Sequence, residues 1–190
     1  MSRTQKNKLI YVAASIEGVN RIEREVVNDN RGHFTRIYCD EELKKIGLKK
    51  PICQINYSDT KLKGTVRGMH FQFKPCKEVK IITCLSGSVF DVVVDLRHDS
   101  PTFLKWHAEI LSEKNKNSLV VPEGCAHGFQ TLTDDCKLIY LHTQMYNPSF
   151  EGAINPEDPL IGIKWPIPIS KMSDKDSGHP LIDETYLGVH

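Results

Sequence analysis

Between Ile52 and Tyr146 the chain is a succession of short strand-like runs broken by turn-forming residues. The runs are ICQINYS, TVRGMHFQF, VKIITCL, SVFDVVVDLR, FLKWHAEILS, NSLVVPEG, AHGFQTLT and KLIYLHTQMY. Ser-Gly, Arg-His-Asp-Ser-Pro, Glu-Lys-Asn-Lys-Asn, Pro-Glu-Gly and Thr-Asp-Asp separate them. Eight such runs at a spacing of about ten residues point to a β-sandwich or barrel. Upstream, EREVV is a further β-like run and NDNRGHF a turn cluster. One short helix is predicted over EELKKIGLKK, where apolar residues recur at helical spacing and a glycine stands near the end. From Asn155 onward the chain is rich in Pro, Asp and Lys and keeps no long period. That segment is expected to wrap the barrel irregularly, with a short helix. No repeat or boundary divides the chain, so one domain over 1–190 is expected, with an N-terminal arm over about 1–28 and the irregular wrap over about 155–190.

Within SVFDVVVDLR, Phe90, Val92, Val94 and Leu96 share one face, and Asp91, Val93 and Asp95 the other. Asp91 therefore faces either an interior cavity or an exposed strand surface, and the pattern leaves both open.

Composition narrows the classes of partner. With 39% hydrophobic and 26% charged residues and a net charge of +1, the chain has no electrostatic ground for binding nucleic acid or an anionic membrane. Arg3, Lys6 and Lys8 read as a mild, solvated tail. No apolar run reaches the roughly 18 residues of a transmembrane helix, and LIYVAAS is too short for a signal peptide. The six cysteines form no Cys-x-x-Cys pair and several lie in apolar runs, so reduced thiols and a cytoplasmic location are expected.

Two spacings are sharper than the strand pattern. Gly64 and His70 precede Lys80 and Gly87, and Pro122-x-Gly124-x-x-His127 follows. This skeleton of turn residues resembles that of the cupins, all-β jelly rolls built as a double-stranded β-helix. Metal-binding cupins carry His-x-His and Glu in the first motif and His in the second. Here only His70 and His127 remain, Gln72 stands where the second histidine would be, and Lys80 or a neighbour replaces the glutamate. Two imidazoles beside an ammonium make a poor divalent site, so neither metal nor cofactor is expected. Arg67, His70, Lys80 and His127 are expected to point into one barrel. Four cationic or near-cationic groups in a core call for an anion, such as a diphosphate, or for a developing oxyanion.

The stretches DNRGHF, QINYS, GTVRGMHFQ, SGSVFDVVVDLRHDSPTF, VPEGCAHGF, LIYLHTQMYNP, GIKWP and SDKD together resemble the dTDP-4-dehydrorhamnose 3,5-epimerase family, a metal-free cupin family. The resemblance implies an epimerase that inverts C3, C5 or both in a nucleotide-linked 4-keto-6-deoxy sugar, through an enolate. A monofunctional 3- or 5-epimerase, a 3,4-ketoisomerase and a non-catalytic sugar-nucleotide-binding cupin are the competing readings. His70 corresponds to the family's base, a role for which the histidine side chain is suited. Asp176 corresponds to the aspartate that accepts the Nδ1–H of that base. Lys80 corresponds to the lysine beside the enolate oxygen, and Tyr140 to the acid on the opposite face. Arg31, Gln54, Asn56, Arg67, His127, Tyr146, Glu151 and Lys175 are implied in substrate binding: Tyr146 stacking on the base, Arg67 and Lys175 meeting the diphosphate, and Arg31 reaching across a homodimer. Two positions depart from the family pattern. Arg36 replaces a glutamate, and Glu78-Val79 replaces a Gln-Gly before the lysine. Both are expected near the site, with Arg36 altering a base or phosphate contact.

Overall fold

The computed structural model describes residues 8–45 and 47–190. Arg3 and Lys6 of the expected tail and Ile46 of the expected helix lie outside the described residues. The strands are β1 (Leu9–Ala13), β2 (Asn20–Arg24), β3 (Val26–Asp29) and β4 (Gly32–Thr35). After helix α1 (Asp40–Lys44) come β5 (Gln54–Thr60), β6 (Val66–Gln72), β7 (Lys80–Ser86) and β8 (Ser88–Asp95). Then follow β9 (Trp106–Ser112), β10 (Ser118–Val121), β11 (Cys125–Thr131), β12 (Cys136–His142), β13 (Glu151–Ala153) and helix α2 (Asp174–Ser177). Each of the eight runs from Ile52 onward contributes one of the strands β5 to β12. The six-stranded sheet has the order β1-β2-β10-β7-β12-β5 and the five-stranded sheet β13-β6-β11-β8-β9, every pairing within them antiparallel. β3 and β4 form a hairpin of their own. The architecture is an all-β jelly roll.

Alternation along the strands places the core. Ile82, Val89, Val93, Leu119, Phe129 and Leu138 fill the layer between the two large sheets. Burying each such side chain contributes roughly 1.5–3 kcal/mol. The outer face of the five-stranded sheet is apolar too. Met69, Val92, Val94 and Leu96 lie under Ile154, Ile161, Trp165 and Val189 of the segment that follows β13. On the outer face of the six-stranded sheet, Ile81, Val120 and Leu141 lie under Leu43 and Leu48. Burial on both faces explains why VVV in β8 does not alternate with polar residues. The six cysteines are free, with Cys84, Cys125 and Cys136 buried. No helix among the described residues is long and apolar enough to cross a membrane.

Helix α1 is shorter than the stretch predicted for it. Gly47 adopts φ of +87°, a left-handed conformation that stops the helix and that glycine takes without strain. Glu42 is buried in α1 and accepts the backbone N–H groups of Lys8 (3.1 Å) and Leu9 (2.8 Å). Arg36 forms an ion pair with the same carboxylate. Within this chain the Arg36 guanidinium is thus committed to Glu42. A buried carboxylate requires a compensating charge, which Arg36 supplies from the connection between β4 and α1, while the backbone contacts of Glu42 tie α1 to β1.

Candidate active site

A cavity of about 670 Å³ opens between the two sheets. Asn56, Arg67, His70, Lys80, His127, Tyr140, Lys175 and Asp176, all singled out from the sequence, line it. His70 and His127 stand on β6 and β11 of the five-stranded sheet, and Lys80 and Tyr140 on β7 and β12 of the six-stranded sheet. The cavity therefore has two chemically different walls.

Arg67 and His70 lie three positions apart, so a regular strand would turn them to opposite faces. A β-bulge resolves this. His127 pairs with His70 and Phe129 with Arg67, so three steps on β6 oppose two on β11. The extra residue restores the phase and both side chains line the cavity. Gly68 sits in the bulge with φ of +132°, and a Cβ there would come within 2.5 Å of the Gly128 Cα. Glycine is required at that point by both the angle and the close approach.

Three of the four expected cations have carboxylate partners. His70 Nε2 lies 2.8 Å from Asp176 Oδ1. The aspartate thus holds Nε2, where the sequence reading had placed it on Nδ1. Asp176 stands on α2 and meets the Nε2 end of the ring. Burial pushes the Asp176 carboxyl up, but the His70 ring, the Gly68 N–H and Ser173 together hold it below its ordinary range. Ser173 also caps α2, accepting the Asp176 N–H at 3.1 Å. His127 Nε2 lies 3.0 Å from both oxygens of Asp91. Asp91 is fully buried and faces inward, which settles the choice that the alternation left open; desolvation raises its pKa against the pull of His127. Lys80 Nζ lies 3.3 Å from Glu78 Oε1 and donates to the His70 carbonyl at 3.1 Å. Arg67 has no carboxylate partner among the described residues and donates from Nε to Thr60 Oγ1 at 3.0 Å. The expected cationic surplus is therefore smaller than four groups. These three groups are paired with carboxylates within the fold, and the guanidinium of Arg67 is left without one among the described residues.

Tyr140 hydroxyl and Ser58 Oγ are 3.0 Å apart. Burial raises the phenol pKa beyond its ordinary value, so the group stays protonated and able to donate. At the rim a polar chain links most of the remaining candidates. Gln54 Nε2 donates to Asn56 (3.0 Å), Gln54 Oε1 accepts from the Tyr146 N–H (2.9 Å), and the Tyr146 hydroxyl donates to Glu151 (3.1 Å). Lys175 donates to the same Glu151 carboxylate at 2.6 Å. Gln54, Tyr146 and Glu151 thus border the cavity without lining it. Arg31 is not brought to it within one chain: it pairs with Asp29 on the hairpin, its side chain 86% exposed. Sequence reasoning missed Ser58, Thr60, Lys171 and His142, which also line the cavity. For Ser58 and Thr60 the signal was available, since they follow Asn56 at period two on β5. Among the described residues no group of three or more His, Cys, Asp or Glu is placed to hold a metal ion.

The family model for dTDP-4-dehydrorhamnose 3,5-epimerase matches residues 13–184. The dTDP-4-dehydrorhamnose 3,5-epimerase of Salmonella typhimurium is 40% identical over 181 residues, covering 94% of this chain and 98% of that protein. The chain belongs to the dTDP-4-dehydrorhamnose 3,5-epimerase family. As a family member it is an isomerase on the cupin jelly roll. A dTDP-6-deoxy-D-glucose-3,5-epimerase from Legionella pneumophila, solved with dTDP-4-keto-L-rhamnose, superposes with a TM-score of 0.88 at 33% identity, over 96% of this chain and 98% of that one. A dTDP-4-dehydrorhamnose 3-epimerase from Streptomyces niveus is 38% identical over 170 residues, covering 89% of this chain and 82% of that protein. Epimerases of the family named for one centre and for two are thus about equally similar to this chain.

Proposed function

We propose that the chain inverts C5 and C3 of a dTDP-linked 4-keto-6-deoxyhexose, with His70 as base and Tyr140 as acid. The observation that carries the reading is their placement: His70 and Tyr140 line one cavity from opposite sheets. Inversion needs a proton removed from one face of a carbon and returned to the other, and two walls supply the two faces. The C4 carbonyl acidifies the hydrogens on C3 and C5. His70 Nδ1 takes one of them, and the electron pair moves to the C4 oxygen. Asp176 on Nε2 stabilises the resulting imidazolium. A base so held contributes about 10²- to 10⁴-fold. Two of the three Lys80 protons meet Glu78 and the His70 carbonyl, and the third serves the enolate oxygen. A preorganised donor of this kind is worth about 3 kcal/mol of barrier. The Tyr140 phenol then delivers its proton to the opposite face as the enolate's electron pair returns to the carbon and the C4 carbonyl re-forms, and the phenolate regains a proton from solvent. The His70 side chain is 35% exposed, which lets the imidazolium discharge to solvent. Arg67 and Lys175 take the diphosphate, His127 the sugar, and Gln54, Asn56, Tyr146 and Glu151 the nucleoside end.

The working unit in this reading is a cytoplasmic homodimer of single cupin domains, with no nucleic-acid or membrane partner. Edge strand β5 exposes Ile55 (61%) and Tyr57 (58%), and the β3–β4 hairpin exposes Phe34 (69%), apolar surface that a second copy would cover. Arg31 on that hairpin would then serve the neighbouring cavity.

Incubation with dTDP-4-keto-6-deoxyglucose in D₂O, followed by NMR, tests the reaction. Deuterium is expected at both C3 and C5. Exchange at C3 alone would select a single-centre epimerase, and exchange at neither would sink the proposal. Tyr140→Phe is expected to retain deuterium uptake from the His70 face while inversion falls by about 10²-fold or more.

A further inference from the structure

Glu78, one of the two departures from the family pattern, has a buried partner 64 positions downstream. His142 Nδ1 lies 2.7 Å from Glu78 Oε2, and both residues are buried. The other oxygen of Glu78 holds Lys80. Burial pushes the Glu78 carboxyl up, yet His142 and Lys80 outweigh that and keep it below its ordinary range, so it is ionised and accepts. The Nδ1 side of His142 is therefore committed to Glu78, and Nε2 is left for another partner. That nitrogen is fully buried and has no hydrogen-bond partner. His142 lines the cavity on the same strand face as Tyr140, the two rings 6.3 Å apart at 25°. Buried polar atoms are otherwise satisfied almost everywhere in folded proteins, and an orphan on a cavity wall marks a place for a ligand atom.

We infer that His142, oriented by Glu78, is a specificity-determining residue whose Nε2 forms a hydrogen bond with a hydroxyl of the sugar. A hexose bonded to diphosphate at C1, with a carbonyl at C4 and a methyl at C6, keeps hydroxyls only at C2 and C3. One of these two is the partner of Nε2. The inference rests on the sugar-nucleotide reading, and its test is arranged to separate the two.

The test is a cycle between the protein and the substrate. Wild type and His142→Ala are each assayed with the parent 4-keto sugar nucleotide and with its 2-deoxy and 3-deoxy analogues, reading deuterium uptake at C5. C5 is present in all three compounds, so one signal serves throughout. Removing the hydroxyl that His142 holds is expected to lower wild-type kcat/KM by about 10- to 100-fold. His142→Ala is expected to lose a similar factor on the parent, mostly in KM, and nothing further on that analogue. Losses that multiply on both analogues, or an unchanged parent rate in His142→Ala, would overturn the inference and leave the pair as a prop for Lys80. A wild type inactive on the parent would instead refute the sugar-nucleotide reading. If His142→Ala fails to fold, the double variant Glu78→Gln/His142→Phe, which strands no carboxylate, runs the same cycle: no further loss on one analogue supports the inference, and multiplying losses on both overturn it.

Discussion

Asp176→Asn tests the reading of the base most directly. Asp176 is 4% exposed, and its Oδ1 lies 2.8 Å from His70 Nε2 while Oδ2 accepts the Gly68 N–H at 3.3 Å. An asparagine fits the same space. Its one oxygen satisfies the Gly68 N–H, so its NH₂ faces His70 Nε2. A donor there forces Nε2 to become the acceptor and moves the ring proton to Nδ1, the position from which His70 is to take the substrate proton. The base is lost through the wrong tautomer, and the negative charge behind the imidazolium is lost with it. General-base catalysis of this kind is worth about 10²- to 10⁴-fold, and the corresponding change in a serine-protease triad reaches about 10⁴. The expected fall in kcat is therefore about 10³- to 10⁴-fold, equivalent to about 4–5.5 kcal/mol of barrier. KM should move little, because Asp176 touches the ring and not the substrate. Deuterium uptake at C5 against time gives kcat, and thermal melting confirms that the variant folds. A folded Asp176→Asn within tenfold of wild type would refute the dyad.

Gly68→Ala is expected to lower the melting temperature and to remove most activity, because the new methyl meets Gly128 and the bulge that aligns Arg67 with His70 must shift; calorimetry and the exchange assay read the two effects. Arg67→Gln should raise KM by about 10-fold or more and change kcat far less, consistent with the loss of a charge-assisted phosphate contact. For Asp95, burial pushes the carboxyl up, but Arg97, Ser100 and Thr102 bring it down to about 2. A carboxyl depressed in the folded state stabilises above its unfolded pKa, so the contribution is complete above about pH 4 and fades as pH falls toward 2. Asp95→Asn should cost about 2 kcal/mol at pH 7 and much less at pH 2, measured by urea unfolding at both values.

Strands β6 to β12 were legible because each buries an apolar face, and the breaks between them carry turn residues with a mechanism of their own. α1 was over-extended because apolar spacing continues past Gly47 while the backbone does not. The site was legible where it follows the resemblance, at His70, Lys80, Tyr140 and Asp176. Its electrostatics were not. Asp176 is 106 positions from His70, Glu78 is 64 from His142 and Asp91 is 36 from His127, and no local period reports such pairings. The bulge was equally hidden: a strand pattern counted at period two separates Arg67 from His70, and the extra residue that reunites them shows only in the register with β11.

The apolar layer between the sheets has a second duty. Ile82, Val93, Leu119, Phe129 and Leu138 lie between the same two walls that carry the proposed base and acid. Their bulk sets how far apart those walls stand, much as a spacer sets the gap of an optical cell. The path length across the sugar is then a property of side chains that never meet it. Natural variation in such a core would be filtered twice, once for a fold that holds together and once for a slot one sugar ring wide.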